Sequence, residues 1–459
     1  MAELVMKYQQ YAEYKDSGVE WLDVIPNHWN TVSLKMLIDV RDGTHETPSY
    51  VEKTDNSYPL VTSKDVTSGQ IDLTDCKHIS QQDYESIIKR SAVSEGDILM
   101  PMIGTVGSPV LVEERLEIAI KNLALFRTSE NNDKITAKFL HYFLNSKECS
   151  MQFSLEGRGG VQNFVSLGTL RSLGLPLISL EDQVQIADFL DYETAQIDTL
   201  IEKQQTLIKL LKEKRQAVIS HAVTKGLNPD APMKDSGVEW VGTIPKHWKA
   251  YKLGYCAKVG NGATPSRDNP NFWKDGSIGW LNSSKINDVI IHEAEQFITP
   301  LAKLKTSVHP VQKNDILMAI TGEGQTRGRV AICKLDATIN QHLACIRITD
   351  KELGYEYLYY WLNSNYDRIR FESSGTGSTK GAITCENITS YPVLIPTKKE
   401  QQKIVEYLKE KNEVFDKLMD SAEQAIQLMQ ERRTALISAA VTGKIDVRGW
   451  RAAYAPECN

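Results

Sequence analysis

Residues 268–272, with the sequence DNPNF, are the first candidate for catalytic chemistry. The stretch is similar to the NPPF or DPPY loop with which adenine methyltransferases hold a target amino group, but Asn271 replaces the second proline. No glycine-rich strand-to-helix turn followed by an acidic residue precedes it, as a bound methyl donor would require. We therefore interpret the stretch as a turn capped by Asp268.

Four other arrangements of reactive residues also fail to match a known pattern. In the loop 375–381, Lys380 is followed by glycine instead of the Ser or Thr that holds magnesium in a phosphate loop. Pro229 and Asp230 lie in a proline-rich turn without the further carboxylates and lysine of a nuclease. The nine histidines form no HExxH motif, and the seven cysteines form no CxxC pair. The sequence predicts a chain that is not an enzyme and has no metal site.

Polar, glycine-rich loops remain as candidate binding segments, three in each half of the chain. Glycine lets backbone N–H groups approach phosphates, while Arg, Lys, Gln, Asn, Thr and His side chains can address base edges. The alternative is that these loops are solvated turns. The candidate nucleic-acid contacts are Thr44, His45, Thr105, Arg158, Gln162, Asn163, Arg267, Gln325, Arg327, Arg329, Thr379 and Lys380.

A long helix is predicted over residues 181–224, which contain no Gly or Pro and are rich in Gln, Lys, Glu and Leu. At ~1.5 Å per residue it would be on the order of 65 Å long. Its apolar residues follow a heptad spacing, so one narrow stripe needs a partner helix. The predicted seam of this helix is Ile186, Leu190, Ile197, Leu200, Leu207, Leu211 and Val218.

The partner is predicted over residues 399–442, which repeat the first helix at an offset of 218. The offset superimposes KRQAVISHAVT on RRTALISAAVT at the two helix ends. We expect the two helices to pair antiparallel as a spacer. The seam of the second helix is predicted at Ile404, Leu408, Phe415, Leu418, Met429 and Leu436.

The regions before the helices are repeated as well. The segment KDSGVEWLDVIPNHW at residues 15–29 returns as KDSGVEWVGTIPKHW at 234–248, and the DILM and Leu-Asn-Ser segments recur at nearly the same offset. Short apolar runs separated by Gly- and Asn-rich turns predict strands, and aromatic runs at 137–144 and 355–362 predict helices. The chain is therefore one duplicated unit of roughly 220 residues with a mixed α+β domain in each half.

Composition sets further bounds. The 459 residues, 41% hydrophobic and 24% charged, suit several globular domains. No apolar run reaches the ~20 residues of a membrane span, and the first residues show no signal-peptide core. These features, with scattered cysteines, predict a cytoplasmic protein without a membrane partner. The net charge of −6 argues against coating nucleic acid by bulk charge, but a local basic groove could still bind it.

The order of these repeated segments resembles that of the specificity (S) subunits of Type I restriction–modification systems, over nearly the whole chain. The resemblance is carried by the SGVEW…IP.HW segments, the DILM strand, the Leu-Asn-Ser after each aromatic helix, and the entry and exit of each long helix. The entries read LPLISLEDQVQI at 175–186 and YPVLIPTKKEQQKI at 391–404.

The resemblance implies an α+β fold of two duplicated mixed α/β target-recognition domains, separated by two long helices pairing as an antiparallel coiled coil. The implied parts are a first recognition domain at 1–178, a spacer helix at 179–226, a second recognition domain at 227–396, a spacer helix at 397–446 and a tail at 447–459. Each domain would read one half of a bipartite site in double-stranded DNA.

The resemblance also implies partners. The helices would fix the gap between half-sites and dock two modification subunits, and restriction subunits would add translocation and cleavage. This chain would hold no cofactor, with S-adenosylmethionine and ATP on the partner subunits. Two alternatives stay open: a self-contained restriction–modification methyltransferase, and a structural tether that binds proteins and no DNA.

Overall fold

The computed structural model describes residues 8–67, 69–103, 107–130, 133–156, 164–322, 324–374 and 381–451. The chain forms two compact units, each with its own hydrophobic cores. The first unit comprises the described residues of 1–205 and 423–459, and the second unit comprises those of 206–422. Each unit therefore holds a globular part and a portion of both long helices. No helix among the described residues is long and apolar enough to cross a membrane.

The first unit is built on two four-stranded sheets, in the orders β11-β10-β13-β4 and β12-β6-β9-β5. Strands β10 and β13 are buried throughout, as expected of short, continuous apolar runs. The elements that begin in this unit are β1 (Tyr14–Asp16), β2 (Val24–Pro26), β3 (Asn30–Ser33), β4 (Val40–Asp42), β5 (Tyr50–Val51), β6 (Ser57–Val61), β7 (Val66–Thr67), β8 (Gln70–Ile71), β9 (Lys77–Ser80), α1 (Gln81–Ser91), β10 (Ile98–Pro101), β11 (Val110–Leu111), β12 (Ala119–Ile120), β13 (Leu123–Phe126), α2 (Ala137–Leu144), α3 (Lys147–Glu156), α4 (Leu167–Ser172), β14 (Gly174–Leu177) and α5 (Leu180–Lys225).

The second unit repeats this plan, with a five-stranded sheet β18-β26-β23-β24-β20 and a four-stranded sheet β21-β19-β25-β22. Its elements are β15 (Met233–Asp235), β16 (Thr243–Pro245), β17 (Lys249–Lys252), β18 (Ala257–Asn261), β19 (Ile278–Leu281), β20 (Ile290–Ile291), β21 (Gln296–Ile298), α6 (Pro300–Lys305), β22 (His309–Val311), β23 (Ile316–Ala319), β24 (Val330–Cys333), β25 (Ala337–Ile339), β26 (Leu343–Ile348), α7 (Tyr355–Ser364), α8 (Tyr366–Glu372), α9 (Cys385–Ser390), β27 (Pro392–Ile395) and α10 (Lys398–Val441). The duplication and the α+β class predicted from the sequence are confirmed.

The long helices α5 and α10 begin and end within one residue of their predicted bounds. In the first unit, Arg433 donates from Nε to both carboxylate oxygens of Asp198, at 2.9 and 3.2 Å. In the second unit, Arg215 forms an ion pair with Asp416. A step of 17 residues forward along α5 thus matches 17 residues backward along α10. The predicted antiparallel pairing is confirmed.

The heptad seam differs in part from the prediction. Leu200, Leu207 and Leu418 are 50, 43 and 48% exposed, so these three were wrongly placed inside the pair. Each is followed by another apolar residue, and it is the second residue that turns inward: Met419 is 8% exposed, and Ile201 packs against the core. The predicted residues that are buried are Ile186, Leu190, Ile197, Ile404, Leu408, Phe415 and Leu436, while Leu211, Val218 and Met429 are half-buried.

One buried glutamine joins each long helix to its unit. Gln183 accepts a hydrogen bond from the amide of Thr136 at 2.7 Å and donates to the carbonyls of Lys134 and Ile178 at 2.8 and 3.1 Å. Thr136 is the N-terminal cap of α2, so this bond holds the start of that helix against α5. In the second unit, Gln401 makes the same three contacts, accepting from Gly354, the cap of α7.

The chain after α10 packs into the first unit. The carbonyl of Gly443 accepts a hydrogen bond from the Tyr14 hydroxyl at 3.0 Å, and the amide of Asp446 donates to the carbonyl of Gln9 at 2.7 Å. Trp29, from the repeated opening segment, is fully buried beside Gly443. Residues 443–447 therefore belong to the core that residues 9–29 begin.

Candidate nucleic-acid interface

The candidate interface in each unit starts at the glycine directly after one strand. Gly43 follows β4, and Gly262 follows β18. A Cβ on Gly43 would lie 2.3 Å from the carbonyl oxygen of Ile120, and a Cβ on Gly262 would lie 1.8 Å from that of Ile339. Only glycine allows such a close approach of two backbones. The loop after β4 therefore packs against the turn between β12 and β13. The loop after β18 packs in the same way against the turn between β25 and β26.

The first-unit loop carries Thr44 and His45. The amide of Thr44 donates to Ile120 at 2.9 Å, which fixes the start of the loop. The ring of His45 lies between two acceptors: Nε2 is 2.8 Å from Asp42 Oδ2, and Nδ1 is 3.1 Å from Asn122 Oδ1. The hydrogen bond to Asp42, followed by the one to Asn122, raises the pKa of His45. An imidazolium, which donates from both nitrogens, suits this arrangement.

The side chain of Asp42 also receives an ion pair from Arg90 on α1, so two cationic groups share one buried carboxylate. His45 and Arg90 are both more than half exposed, which leaves their outer faces open to an anionic partner. The first-unit cluster, defined as Asp42, His45, Arg90 and Asn122, can bind phosphate or base acceptors.

The second unit places different side chains in the same frame. Thr264 stands where the offset of 219 places His45, and it hydrogen-bonds Gln341, the counterpart of Asn122. Gln341 in turn contacts His342, whose Nδ1 lies 2.7 Å from the Thr321 hydroxyl. Where the first unit has the imidazole of His45 beside the amide of Asn122, the second unit has the hydroxyl of Thr264 beside the amide of Gln341. The two loops therefore share a backbone and differ in their hydrogen-bonding groups.

Arg267 is the exposed cation of the second-unit loop. Its guanidinium carbon lies 3.8 Å from the ring centroid of Trp273 and 4.8 Å from that of Trp280. Its Nη2 donates to Gln296 Oε1 at 2.8 Å. The guanidinium of Arg267 is therefore stacked on two indole rings and held in a defined orientation at the protein surface.

The three candidates near residue 327 occupy unlike environments. Gln325 is exposed, and its side chain accepts from Arg329 at 3.3 Å, while Arg329 also donates to Asn287 at 2.9 Å. Arg327 is only 6% exposed and lies against Gly381 and the carbonyl of Arg370. The expectation that Arg327 lies on a DNA-facing surface is corrected, because its guanidinium is buried within the unit.

The other candidates, Thr105, Arg158, Gln162, Asn163, Thr379 and Lys380, lie outside the described residues. The sequence reading missed Arg90, Asn122 and Gln341, which reach the loops through tertiary structure. The offset of the repeat could have found the last two, since it pairs Asn122 with Gln341.

The DNPNF stretch forms a short helix, Pro270–Phe272, in the second unit. Its cap is Asn269, whose side chain accepts from the amide of Asn271 at 3.1 Å, and not Asp268 as the sequence suggested. Asparagine is as good a cap as aspartate, and its place directly before Pro270 decides the matter. Within the described ranges, no group of three His, Cys, Asp or Glu side chains could hold a metal ion.

Residues 26–210 and 245–427 both match the family model described as the Type I restriction modification DNA specificity domain. The chain belongs to this family. Among its relatives, the putative type I restriction enzyme MjaX specificity subunit of Methanocaldococcus jannaschii is 23% identical over 95% of this chain and 98% of its own length. The EcoR124I/EcoR124II specificity subunit of Escherichia coli is 24% identical over 66% of this chain and 70% of its own.

Solved structures share the fold of this Type I specificity chain. A chain from a type I R-M system, studied for complex assembly and conformational transition, aligns with a TM-score of 0.67 at 16% identity, over 91% of this chain and 98% of its own. The HsdS subunit from Thermoanaerobacter tengcongensis aligns with a TM-score of 0.51 at 16% identity, over 92% of this chain and 98% of its own.

Proposed function

We propose that this chain is the DNA-recognition subunit of a Type I restriction–modification complex, with each unit reading one half of a bipartite site in double-stranded DNA. The observation that carries the proposal is the duplicated loop frame. Both halves match a DNA specificity domain, and in both a glycine lets a loop pack against the equivalent turn of its own unit. Within that frame, His45 is exchanged for Thr264, as two different half-sites require.

The long helices support a second part of the proposal, that they act as the spacer between half-sites and dock two modification subunits. A rigid link turns two modest affinities into one bivalent interaction that depends on their separation. The two ion pairs between α5 and α10 fix one helix against the other in a single register. Restriction subunits complete the proposed complex.

The chemistry is proposed to lie on the partners. S-adenosylmethionine would bind the modification subunits and ATP the restriction subunits, while this chain contributes no catalytic residue. The loop 268–272 supports this division, since Asn271 stands in place of the second proline of a methyltransferase loop and the stretch forms a capped turn.

Methylation mapping tests the proposal. The chain is co-expressed with its modification subunits in a methylation-free host, and methylated adenines are located by single-molecule sequencing. We expect one asymmetric motif, made of two half-sites and a gap of fixed length. Methyl transfer by the purified chain alone would favour the self-contained methyltransferase. A reconstituted complex without salt-sensitive DNA affinity would favour the protein tether.

The spacer role has its own test. Deleting residues 203–209 and 422–428 removes one heptad from each helix and preserves the side-chain pattern. A heptad spans about 10.5 Å, which corresponds to no more than about three base pairs of DNA. We expect a changed gap and unchanged half-sites. An unchanged gap in an active complex would contradict the spacer role.

A further inference from the structure

A pair of tryptophans in the second unit builds a platform that the first unit lacks. Trp273 and Trp280 meet edge to face with ring centroids 5.2 Å apart. Trp280, on β19, is 3% exposed and belongs to a small core of its own with Ile298 and Ala302. No tryptophan occurs between residues 30 and 239. The strand register places Leu60 at the position of Trp280, because both pair with equivalent strands.

The platform fixes the backbone of the loop that follows Gly262. The indole N–H of Trp280 donates to the carbonyl of Ala263 at 3.1 Å, and that of Trp273 donates to the carbonyl of Ser266 at 2.9 Å. These bonds hold the residues immediately before Arg267. The tryptophans therefore position Arg267 in two ways: their N–H groups hold the backbone before it, and their rings contact its guanidinium.

The guanidinium of Arg267 is held in one plane and keeps most of its donors. It stacks on Trp273 at 3.8 Å, and one N–H is taken by Gln296, which faces Trp280 across the β19–β21 pair. Of its five N–H groups, four have no acceptor among the described residues. No carboxylate in the described part of the chain forms an ion pair with Arg267, and the neighbouring Glu295 pairs with Lys285 instead.

This state differs from that of several other arginines in the same unit. Arg329 is held by two amide oxygens, and Arg347 is paired with the buried Asp315. Arg327 is buried. Arg368 also stacks on a tryptophan, Trp240, but it is paired with Glu372. Arg267 is exposed and is held in place by stacking and one amide hydrogen bond without an ion pair, so less side-chain entropy is lost when it binds.

Building on the proposed function, we propose that Arg267 reads a guanine in the half-site of the second unit, through two hydrogen bonds to O6 and N7. A bidentate contact of arginine with guanine is the commonest specific contact in the major groove. It requires a planar fork of set orientation, which Trp273 and Gln296 supply. A phosphate contact can also be made through a single N–H donor by charge alone, without a fixed plane. Trp273 acts here as a positioning residue.

The test uses the chain reconstituted with its modification subunits. After the motif is mapped, each base pair of both half-sites is replaced in duplex DNA, and binding is measured by competition for wild type, Arg267→Gln and Arg267→Lys. We expect wild type to prefer guanine at one position of one half-site by about 10- to 100-fold. Both variants should lose that preference and keep the others. Lysine keeps the charge but not the planar fork.

Three further variants complete the design. Trp273→Ala should weaken the same guanine preference although Arg267 is present, and Trp273→Phe should retain part of it. Lys274→Gln, which removes a neighbouring exposed charge, should leave it unchanged. Thermal unfolding of each complex separates loss of recognition from loss of folding, and the two arginine variants suffice if Trp273→Ala does not fold.

Several outcomes overturn the inference. They are a wild-type motif without a guanine on either strand of the half-site that the second unit reads, an Arg267→Lys variant that matches wild type, and an equal loss on all sequences with a shallower salt dependence, which marks a phosphate contact. A reconstituted complex that neither binds nor methylates a bipartite site would instead refute the proposed function. The two failures are therefore distinguishable.

Discussion

Replacing Gln183 by alanine tests whether one buried side chain joins the long helix to the first unit. The side chain is 1% exposed and makes three hydrogen bonds, at 2.7, 2.8 and 3.1 Å. At about 1 kcal/mol net for each bond, the substitution should cost about 3 kcal/mol. Part of the cost arises because the amide of Thr136 loses its acceptor. Gln401→Ala should cost a similar amount in the second unit, since its three bonds repeat the geometry.

Hydrogen exchange with mass spectrometry is the suitable assay, because it reports each unit separately. Gln183→Ala should speed exchange around residues 134–144 and leave the second unit unchanged. Gln205→Ala, at an exposed position of the same helix, is the matched control. Loss of protection no greater with Gln183→Ala than with this control would refute the reasoning.

Gln183→Glu adds a test of sign. The isosteric carboxylate would face two carbonyl oxygens, which disfavours its charged form and raises its pKa. The cost is therefore full above that raised pKa and shrinks as the pH falls through it. We expect the Glu variant to gain stability relative to the Ala variant when the pH is lowered from about 8 to about 5. No change in that difference would contradict the hydrogen-bond assignment.

Three shorter predictions concern other sites. Met419→Asp, inside the helix pair, should destabilise by about 2–4 kcal/mol in urea unfolding followed by circular dichroism, whereas Leu418→Asp should cost less than about 1 kcal/mol. The pKa of His45, followed by NMR, should lie above the ordinary histidine value, and Asp42→Asn should lower it. The contribution of protonated His45 to the free energy of unfolding is full below about pH 6.5 and is lost as the pH rises through the raised pKa. Gly262→Ala should destabilise by more than about 2 kcal/mol in the same urea assay.

Each of these has a control. A larger effect of Leu418→Asp than of Met419→Asp would restore the seam predicted from the sequence. A His45 pKa that does not respond to Asp42→Asn would contradict the role of that hydrogen bond. Gly324→Ala, where a Cβ meets nothing within 4 Å, should be almost neutral, and equal losses for both glycines would contradict the close approach at Gly262.

The sequence predicted the long helices closely because they lack Gly and Pro and are repeated. It misplaced part of their seam because Leu200 and Leu418 are each followed by another apolar residue, Ile201 and Met419. A heptad pattern with two adjacent apolar residues has two possible registers, and packing against the partner decides between them.

The candidate binding loops were predicted from their glycines and polar residues, but the environments of individual side chains were less predictable. Arg327 was expected at the surface because glycines surround it, yet its guanidinium is buried against Gly381. The platform under Arg267 joins Trp273, in the turn after a short helix, to Trp280 on β19, and the spacing of the two residues alone does not mark the contact. The two tryptophans without counterparts in the first half were the available signal.

The packing of residues 443–447 on residues 9–29 has a consequence for synthesis. The second unit is one continuous stretch of chain, whereas the first unit needs residues after 422 to complete its core. Domains generally fold as units while the chain emerges from the ribosome, in the order in which they are completed. We therefore expect the first unit to complete its folding after the second unit. Its N-terminal residues can form their contacts with residues more than 400 positions later only after those residues are synthesised. During that interval its apolar surface around Trp29 would be exposed to chaperones.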